Sequence, residues 1–320
     1  MSATFSSFTV VGIREDLSDV IYDISPQDTP IMSSIGKTKA TNVFHEWQTD
    51  SLAAATTANA QVEGADATDA TVSATTRIGN YTQIVGKTIR VSGTLEAVDK
   101  AGRKSEKAYQ MAKAAAEMKR DIETIITANQ GQSAGNATTA RTLGSLLSYI
   151  KTNSSVNGTS VTGVDPTTIG VSTRTDGTTR TFTETLLKDV IQKVFVSGGT
   201  PTLAVMRPAL KQKVSGFQGN SAYRVNTDNS VGNVTVVAGA DLYQSDFGIL
   251  SLIPDRFLRS DDRELLILDP EYAALAYLRP FQTKDLAVNG DSERSQLLAE
   301  LTLEVRNEAA HGIVADLNTN

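Results

Sequence analysis

The sequence contains no cysteine among its 320 residues, and it has only two histidines and one tryptophan. The absence of cysteine excludes a disulfide-bonded scaffold, a thiolate zinc site and a cysteine nucleophile. A chain without thiols is compatible with assembly in a reducing compartment such as a cytoplasm.

Long apolar runs are also missing. No stretch approaches the roughly 18 uninterrupted apolar residues that a membrane span requires. The first residues, MSATFS, provide neither the basic region nor the apolar region of a secretory signal peptide. We therefore expect no membrane segment and no secretory leader in this sequence.

Motifs for catalysis are missing as well. The sequence contains no Gly-x-Ser-x-Gly nucleophile elbow and no Walker phosphate loop. His45 and His311 are far apart, whereas zinc ligands usually stand at close helical spacing. Surface solvation or a helix dipole accounts for acidic groups such as Asp261 with Asp262, and those within residues 16–23. We predict no catalytic residue, no cofactor and no metal site, and a carboxylate hydrolase is the least favoured function.

The charge balance is acidic, with a formal net charge of -6 at pH 7. Proteins that bind nucleic acid through its phosphates usually carry a basic patch. The densest basic stretch here, residues 99–107, contains four cations diluted by two acids. This pattern is typical of a solvated helix start and does not predict sequence-specific DNA binding.

The composition of the remaining chain changes sharply from segment to segment. Residues 1–42 mix short apolar pieces with breakers; residues 16–24 could form a helical turn or two. Pro26 and Pro30 then impose an extended or turned path, because proline fixes its own φ and disfavours helix at the residue before it. We interpret residues 1–42 as an arm laid over another structure and not as a compact unit.

Residues 43–98 read as a long two-stranded hairpin. Residues 43–48 can form one strand, and residues 81–92, rich in β-branched side chains, the other. Between them, residues 52–76 are almost all small or polar and cannot bury enough surface to fold alone. An isolated two-stranded hairpin is marginal in water, so we expect this one to pack on a partner chain.

The clearest element is a helix over residues 103–129. Its apolar residues form one stripe at helical spacing: Ala108, Met111, Ala112, Ala115, Met118, Ile122, Ile125 and Ile126. The pairs Lys113 with Glu117 and Lys119 with Glu123 are expected on its outer face. At 1.5 Å per residue the helix would be about 35–40 Å long.

The second half of the chain alternates between loose and compact parts. Residues 152–181 are rich in serine, threonine and glycine and predict a flexible surface insertion. Helices are predicted at residues 183–196, 208–217 and 271–278. Strands are predicted at residues 202–206, 235–238, 248–253 and 264–268. Residues 296–306 alternate, with Leu301, Leu303 and Val305 inward and Glu300, Thr302 and Glu304 outward, and residues 313–317 return as the partner strand.

The order of these parts, arm, hairpin, long helix, α/β region and closing strands, resembles the Hong Kong 97-type fold of tailed-phage major capsid proteins. The motifs that carry the resemblance cover the whole chain: SPQDTPI at residues 25–31, GNYTQI at 79–84, TETLL at 183–187, SGGTP at 197–201, LYQSDFG at 242–248, LRP at 278–280 and ELTLE at 300–304.

The resemblance implies an α+β fold with a defined domain order. It implies an N-terminal arm (1–42), an extended loop hairpin (43–98), a peripheral domain (99–199) with the spine helix 103–129 and the insertion 152–181, an axial domain (200–285) and closing strands of the peripheral domain (286–320). The expected contacts between subunits are Pro26, Pro30, Trp47, Tyr81, Ile84 and Ile89.

The resemblance also implies partners. Copies of the chain would form hexamers and pentamers of an icosahedral virion shell that is assembled in the host bacterial cytoplasm and encloses packaged double-stranded DNA without sequence-specific binding. A portal and a separate scaffolding protein would take part, the latter because no acidic helical segment precedes the arm. Two alternatives remain open: an encapsulin-type cargo compartment, and a phage tail or surface adhesin, which the long helix and the absence of repeats disfavour.

Overall fold

The structure is a computed structural model that describes residues 25–26, 28–64, 66–67, 69–159, 161–217, 240–259 and 262–318. The helical turn predicted within residues 16–24 and the strand predicted at residues 235–238 lie outside this part of the chain. The described residues form six α-helices: α1 (Pro30–Ser34), α2 (Gly93–Ala97), α3 (Glu106–Thr127), α4 (Leu146–Tyr149), α5 (Glu184–Val196) and α6 (Pro208–Ser215).

Fourteen strands complete the described part of the fold, which is of the mixed α+β class. They are β1 (Gly36–Lys39), β2 (Phe44–Thr49), β3 (Thr76–Tyr81), β4 (Gln83–Ser92), β5 (Ser154–Ser155), β6 (Arg180–Thr181), β7 (Leu203–Met206), β8 (Leu242–Ser245), β9 (Gly248–Pro254), β10 (Leu265–Leu268), β11 (Ala273–Asp285), β12 (Ser292–Val305), β13 (Gly312–Val314) and β14 (Leu317–Asn318).

One sheet has four strands in the order β1-β11-β12-β4. Its long strands β11, β12 and β4 are antiparallel, and the short β1 runs parallel to β11 at the edge. Helix α3 packs along one face, where Met118, Ile122 and Ile126 are buried in one cluster with Leu297 and Leu301 of β12. The sheet and helix together form an elongated layer pair with a shared apolar seam.

The second sheet has six strands in the order β5-β13-β10-β7-β9-β8. Its central strands β7 and β10 are buried on both faces, which accounts for their continuous apolar sequences. On β7, Leu203 and Val205 face the core that contains α3, whereas Ala204 and Met206 face a second core with α5 and α6. The sheet is therefore a wall common to two hydrophobic cores.

Several elements agree with the sequence predictions to within three residues at each end. These are α3, α5, β7, α6, β9 and β10. Ser105 caps α3, since its Oγ accepts a hydrogen bond from the amide of Ala108 at 3.1 Å. Only the second half of the predicted apolar stripe is buried, however, because Ala108 and Ala112 near the start of the helix are exposed.

The hairpin differs from the prediction in the path of its returning strand. β2 pairs with β3 along their whole length, but β4 pairs with β12 instead. Thr82, between β3 and β4, is fully buried; its amide donates to the carbonyl of Val43 at 2.8 Å and its hydroxyl to Glu300 at 2.9 Å. The predicted strand over residues 81–92 therefore corresponds to β4, but its predicted pairing with residues 43–48 is wrong, because the separate strand β3 before Thr82 occupies that place.

The predicted helix over residues 271–278 is wrong. The chain makes one 3-10 turn at Pro270–Tyr272 and then continues as β11. Its Ala-Ala-Leu-Ala stretch favours a helix locally, but it lies between β1 and β12 and hydrogen-bonds to both. Tertiary pairing thus overrides intrinsic propensity at this point.

The closing strands also depart from the prediction. Glu300, Thr302 and Glu304, predicted to face solvent, are all buried, because the outer face of β12 is covered at this end. The predicted partner strand is not adjacent to β12. After a 3-10 turn at Glu308–Ala310, β13 enters the six-stranded sheet and pairs with β10 and β5.

The insertion at residues 152–181 is irregular, as predicted, and it is attached to the body through charged groups. The carboxylate of Asp316 accepts hydrogen bonds from the amides of Gly177 at 2.7 Å and Asn157 at 2.9 Å. Asp176 forms an ion pair with Arg259. Two points of the insertion are thereby attached to residues that follow strands β13 and β9 of the six-stranded sheet.

The buried carboxylate of Glu300 connects several elements. It accepts hydrogen bonds from Arg141 at 2.6 Å, Arg279 at 2.7 Å and Thr82 at 2.9 Å. A buried carboxylate is stable only when paired and hydrogen-bonded in this way, since its desolvation is costly. β4, β11, β12 and the loop that precedes α4 all meet at this one group.

We expect Glu300→Ala to lower the free energy of unfolding by about 3–5 kcal/mol, because two guanidinium groups lose their buried counter-charge. Glu293→Ala serves as the control; Glu293 is an exposed member of the same strand paired with Lys107 at 3.1 Å, and its loss should cost about 0–1 kcal/mol. Urea denaturation of the unassembled subunit measures both. Equal effects would contradict a central role for Glu300.

Candidate subunit-contact surfaces

Helix α1 is fixed to the long helix α3 by one side chain. Glu123 of α3 is fully buried, and its carboxylate accepts hydrogen bonds from the amides of Ile31 at 2.7 Å and Met32 at 2.9 Å. These amides are orphan donors of the first turn of α1, so Glu123 caps that helix from another part of the chain. The prediction that Glu123 pairs with Lys119 on the outer face is wrong, because the carboxylate faces the arm.

A second buried carboxyl lies beside the first. Burial, and to a smaller extent the neighbouring Asp255, raise the pKa of Glu123 to about 7. Burial also raises the pKa of Asp255, which lies in the loop after β9. The two carboxyls lie close enough for Asp255 to disfavour the negative charge on Glu123. Helix α1, helix α3 and the loop after β9 therefore meet at a pair of buried acidic groups.

The root of the hairpin is packed firmly on its own chain. The side-chain amide of Asn80 donates to the carbonyls of Leu303 at 2.8 Å and Gly144 at 3.0 Å. The Tyr149 hydroxyl donates to the carbonyl of Gly79 at 3.0 Å. Trp47 stacks at a tilt on Tyr149, with ring centroids 6.0 Å apart. These contacts hold β2 and β3 in place at the base of the segment that they carry.

That segment, residues 50–75, lies away from the rest of the described chain. Every described residue in it is exposed, and it has no helix or strand. Its three large apolar side chains are almost fully open to solvent: Leu52 is 99% exposed, Val62 79% and Val72 90%. A well-packed root thus carries a segment that buries none of its own surface. This geometry is typical of an element whose apolar side chains become buried against another molecule.

The six predicted contact residues occupy different environments. Pro26 and Pro30 are half-buried, and Pro30 is the first residue of α1. Trp47 and Tyr81 are half-buried at the hairpin root, where Tyr81 packs on Phe44 at 4.6 Å. Ile84 is exposed on β4, whereas Ile89, on the opposite face of the strand, is half-buried towards α3. Their role in subunit contacts stays a prediction.

A second exposed apolar group lies at the edge of the six-stranded sheet. Phe195, at the end of α5, stacks on Phe247 in the β8–β9 turn with centroids 4.8 Å apart. Leu242 and Ile249 on β8 and β9 are exposed beside them, at 62% and 56%. None of the four was predicted as a contact residue, although Leu242 and Phe247 lie in the LYQSDFG motif and Ile249 follows it directly.

The residues considered for catalysis have structural contacts. His311 is fully buried; its Nδ1 accepts from the amide of Asp269 at 3.2 Å, and burial lowers its pKa to about 4, so it is neutral. Asp262 pairs with Arg207 at 3.0 Å. Within the described residues no group of three potential metal ligands occurs and no helix is long and apolar enough to cross a membrane.

Comparison with known proteins is consistent with this geometry. The capsid asymmetric unit of cyanophage A-1(L) has a similar structure, with a TM-score of 0.62 at 11% identity over 95% of this chain and 97% of that one. The SrpI encapsulin of Synechococcus elongatus PCC 7942 is also similar, with a TM-score of 0.53 at 11% identity over 94% and 93% of the two chains. The major capsid protein of Escherichia phage Phieco32 is 38% identical over 128 residues. That match covers 40% of this chain and 36% of the relative's length.

The fold is thus that of the Hong Kong 97-like shell proteins, as the sequence resemblance implied. The family described as SU10 major capsid protein matches residues 2–318. The chain belongs to this family of major capsid proteins, and its role is structural.

The Glu123 carboxyl should leave a signature in the pH dependence of stability. Its pKa is raised from 4.5 to about 7 in the folded chain, so the folded state binds the proton more tightly than the unfolded one. The stability that this adds is complete below the unfolded pKa and is lost as the pH rises through the folded pKa. Glu123→Gln, which stays neutral, should remove a slope of up to about 1.4 kcal/mol per pH unit in this window.

Urea denaturation of the unassembled subunit at a series of pH values measures that slope. Glu117→Gln is the matched control on the same helix, because Lys87 lowers the pKa of Glu117 and moves its titration below this window. Amide exchange at Ile31 and Met32 should also quicken in Glu123→Ala. An unchanged slope in Glu123→Gln would refute the raised pKa.

Proposed function

We propose that copies of this chain assemble into hexamers and pentamers of an icosahedral phage head that encloses double-stranded DNA. The observation that carries the proposal is the segment 50–75, which is wholly exposed on a rigid hairpin root and leaves Leu52, Val62 and Val72 uncovered. Exposed apolar side chains of this kind are stabilised when a neighbour covers them. Membership of a capsid family makes another copy the natural neighbour.

In this proposal, each segment within the predicted boundaries has its own role in the shell. Residues 1–42 serve as the arm and 43–98 as the extended loop; residues 99–199 and 286–320 make the peripheral domain, and 200–285 the axial domain. Leu242, Phe247 and Ile249 support contacts made by the axial domain, since they place apolar surface at the β8 edge of the six-stranded sheet, where Phe195 of the peripheral domain stacks on Phe247.

DNA is enclosed without sequence-specific binding in this proposal. The acidic balance of -6 supports it, because an acidic shell lining does not hold back DNA during packaging. The virion location, assembly in the host bacterial cytoplasm and participation of a portal and a separate scaffolding protein stay predictions. Likeness to an encapsulin supports one alternative, a cargo compartment. Nuclease-protected DNA within purified particles would separate the virus from that alternative.

Assembly is tested by negative-stain electron microscopy and light scattering of the purified chain. Closed shells, or rings of hexamer and pentamer size, are expected. A monomer that persists at high concentration and under crowding would refute the proposal.

Replacing residues 52–74 by a glycine-serine linker of equal length should abolish these particles. The unfolding free energy should stay within about 0.5 kcal/mol, because the segment buries nothing in its own chain. A control that exchanges only Ala53, Ala54 and Ala55 for serine should still assemble. Normal shells from the linker variant would show that the segment is dispensable.

A further inference from the structure

The exposed segment carries charge of one sign. Residues 50–75 contain Asp50, Glu63, Asp66 and Asp69 and no lysine or arginine. All four carboxylates are exposed, and none of them forms an ion pair with another described residue. The segment is thus an acidic strip with three uncovered apolar side chains and no charge partner among the described residues of its own chain.

An oppositely charged surface lies on the four-stranded sheet, on the face away from α3. Every second residue of β4 is exposed there, including Ile84 and Arg90. The register places Arg294 of β12 opposite Arg90, and Lys284 of β11 opposite Gln296 on the same face. Directly paired residues of antiparallel strands share a face. We call Arg90, Arg294 and Lys284 the cationic face.

The cationic face brings like charges together. Like charges directly opposite each other destabilise a sheet, yet Arg90 and Arg294 are such a pair. Among the described residues, the guanidinium of Arg90 donates to the hydroxyl of Ser292 at 2.8 Å and to the carbonyl of Asn289 at 3.3 Å, both of which are uncharged. Among the described residues none of the three cations forms an ion pair. Glu300, further along the same face, is buried and already held by two arginines.

The two surfaces also match in their apolar parts. Ile84 is 48% exposed, and Leu298, two strand positions from Gln296, is half-buried on the cationic face. They offer apolar contact to Leu52, Val62 or Val72 of the acidic strip. Complementary charge flanking modest apolar contact is the usual composition of a specific interface rim and centre.

We propose that the acidic strip of one subunit lies on the cationic face of a second copy of this chain. The proposal rests on the proposed function, since it requires copies to assemble. It names the surface that receives the extended segment, and it makes that contact electrostatic. Assembly should therefore weaken as salt screens the charges.

Two charge-reversed subunits test the contact. The strip variant carries Glu63→Lys, Asp66→Lys and Asp69→Lys; the face variant carries Arg90→Glu, Lys284→Glu and Arg294→Glu. Each alone should require at least about tenfold more protein to form particles, because like charges then meet. Mixing the two variants should restore assembly, since the basic strip of one matches the acidic face of the other.

The control places the same reversal elsewhere: Lys104→Glu, Lys113→Glu and Lys119→Glu, three exposed cations beside and along α3. This variant should assemble alone and should not rescue the strip variant. Circular dichroism verifies that all variants fold. If the control variant, rather than the face variant, rescues the strip variant, the acceptor surface lies on α3 and the proposal is wrong.

The remaining outcomes are equally distinct. Rescue in a chain that carries both reversals but not in the mixture would place the contact within one subunit and overturn the proposal. A face variant that forms normal particles but loses affinity for a random-sequence DNA duplex would assign the cations to DNA instead. Failure of the unaltered chain to form any particle would refute the proposed function itself, which separates the two hypotheses.

Discussion

The structure depends on the burial of strand β12 with acidic side chains on it. Glu300 and Glu304 are both buried on this strand, and a buried carboxylate must find cations and donors or it destabilises the fold. Arg141, Arg279, Arg306 and His45 supply them from four separate parts of the chain. The ion pairs and hydrogen bonds of the two carboxylates on β12 therefore fix the hairpin root, the loop before α4 and strand β11 at the same time.

Some parts of the molecule bury their apolar side chains within the chain, and other parts do not. The two sheets and helices α3, α5 and α6 bury continuous cores of their own. The segment 50–75 buries nothing, although its root is held by Asn80 and Tyr149. Order in that segment has to come from a neighbour, and the entropy that it loses on docking makes each single contact weak. A closed shell tolerates weak contacts because it repeats them many times.

The sequence predicted most of what depends on local pattern. The long helix, the buried strands β7 and β10 and the soft segment between β2 and β3 follow from periodicity and composition. The predictions failed where distant pairing decides. The alanines of β11 favour a helix until β1 and β12 flank them, and the strand predicted to return along β2 pairs with β12 instead. Glu123 was placed outside because its spacing to Lys119 fits a surface pair, and no local pattern shows that two amides of the arm lie over it.

The wall shared by the two cores has a mechanical consequence. Strands such as β7 present alternate side chains to both cores, so neither core can slide past the other without breaking the packing of both. The two cores therefore move together as one rigid unit and not as two units joined by a hinge. Any curvature or size change of an assembly built from such subunits has to be taken up outside the two cores, for example by the exposed segment 50–75.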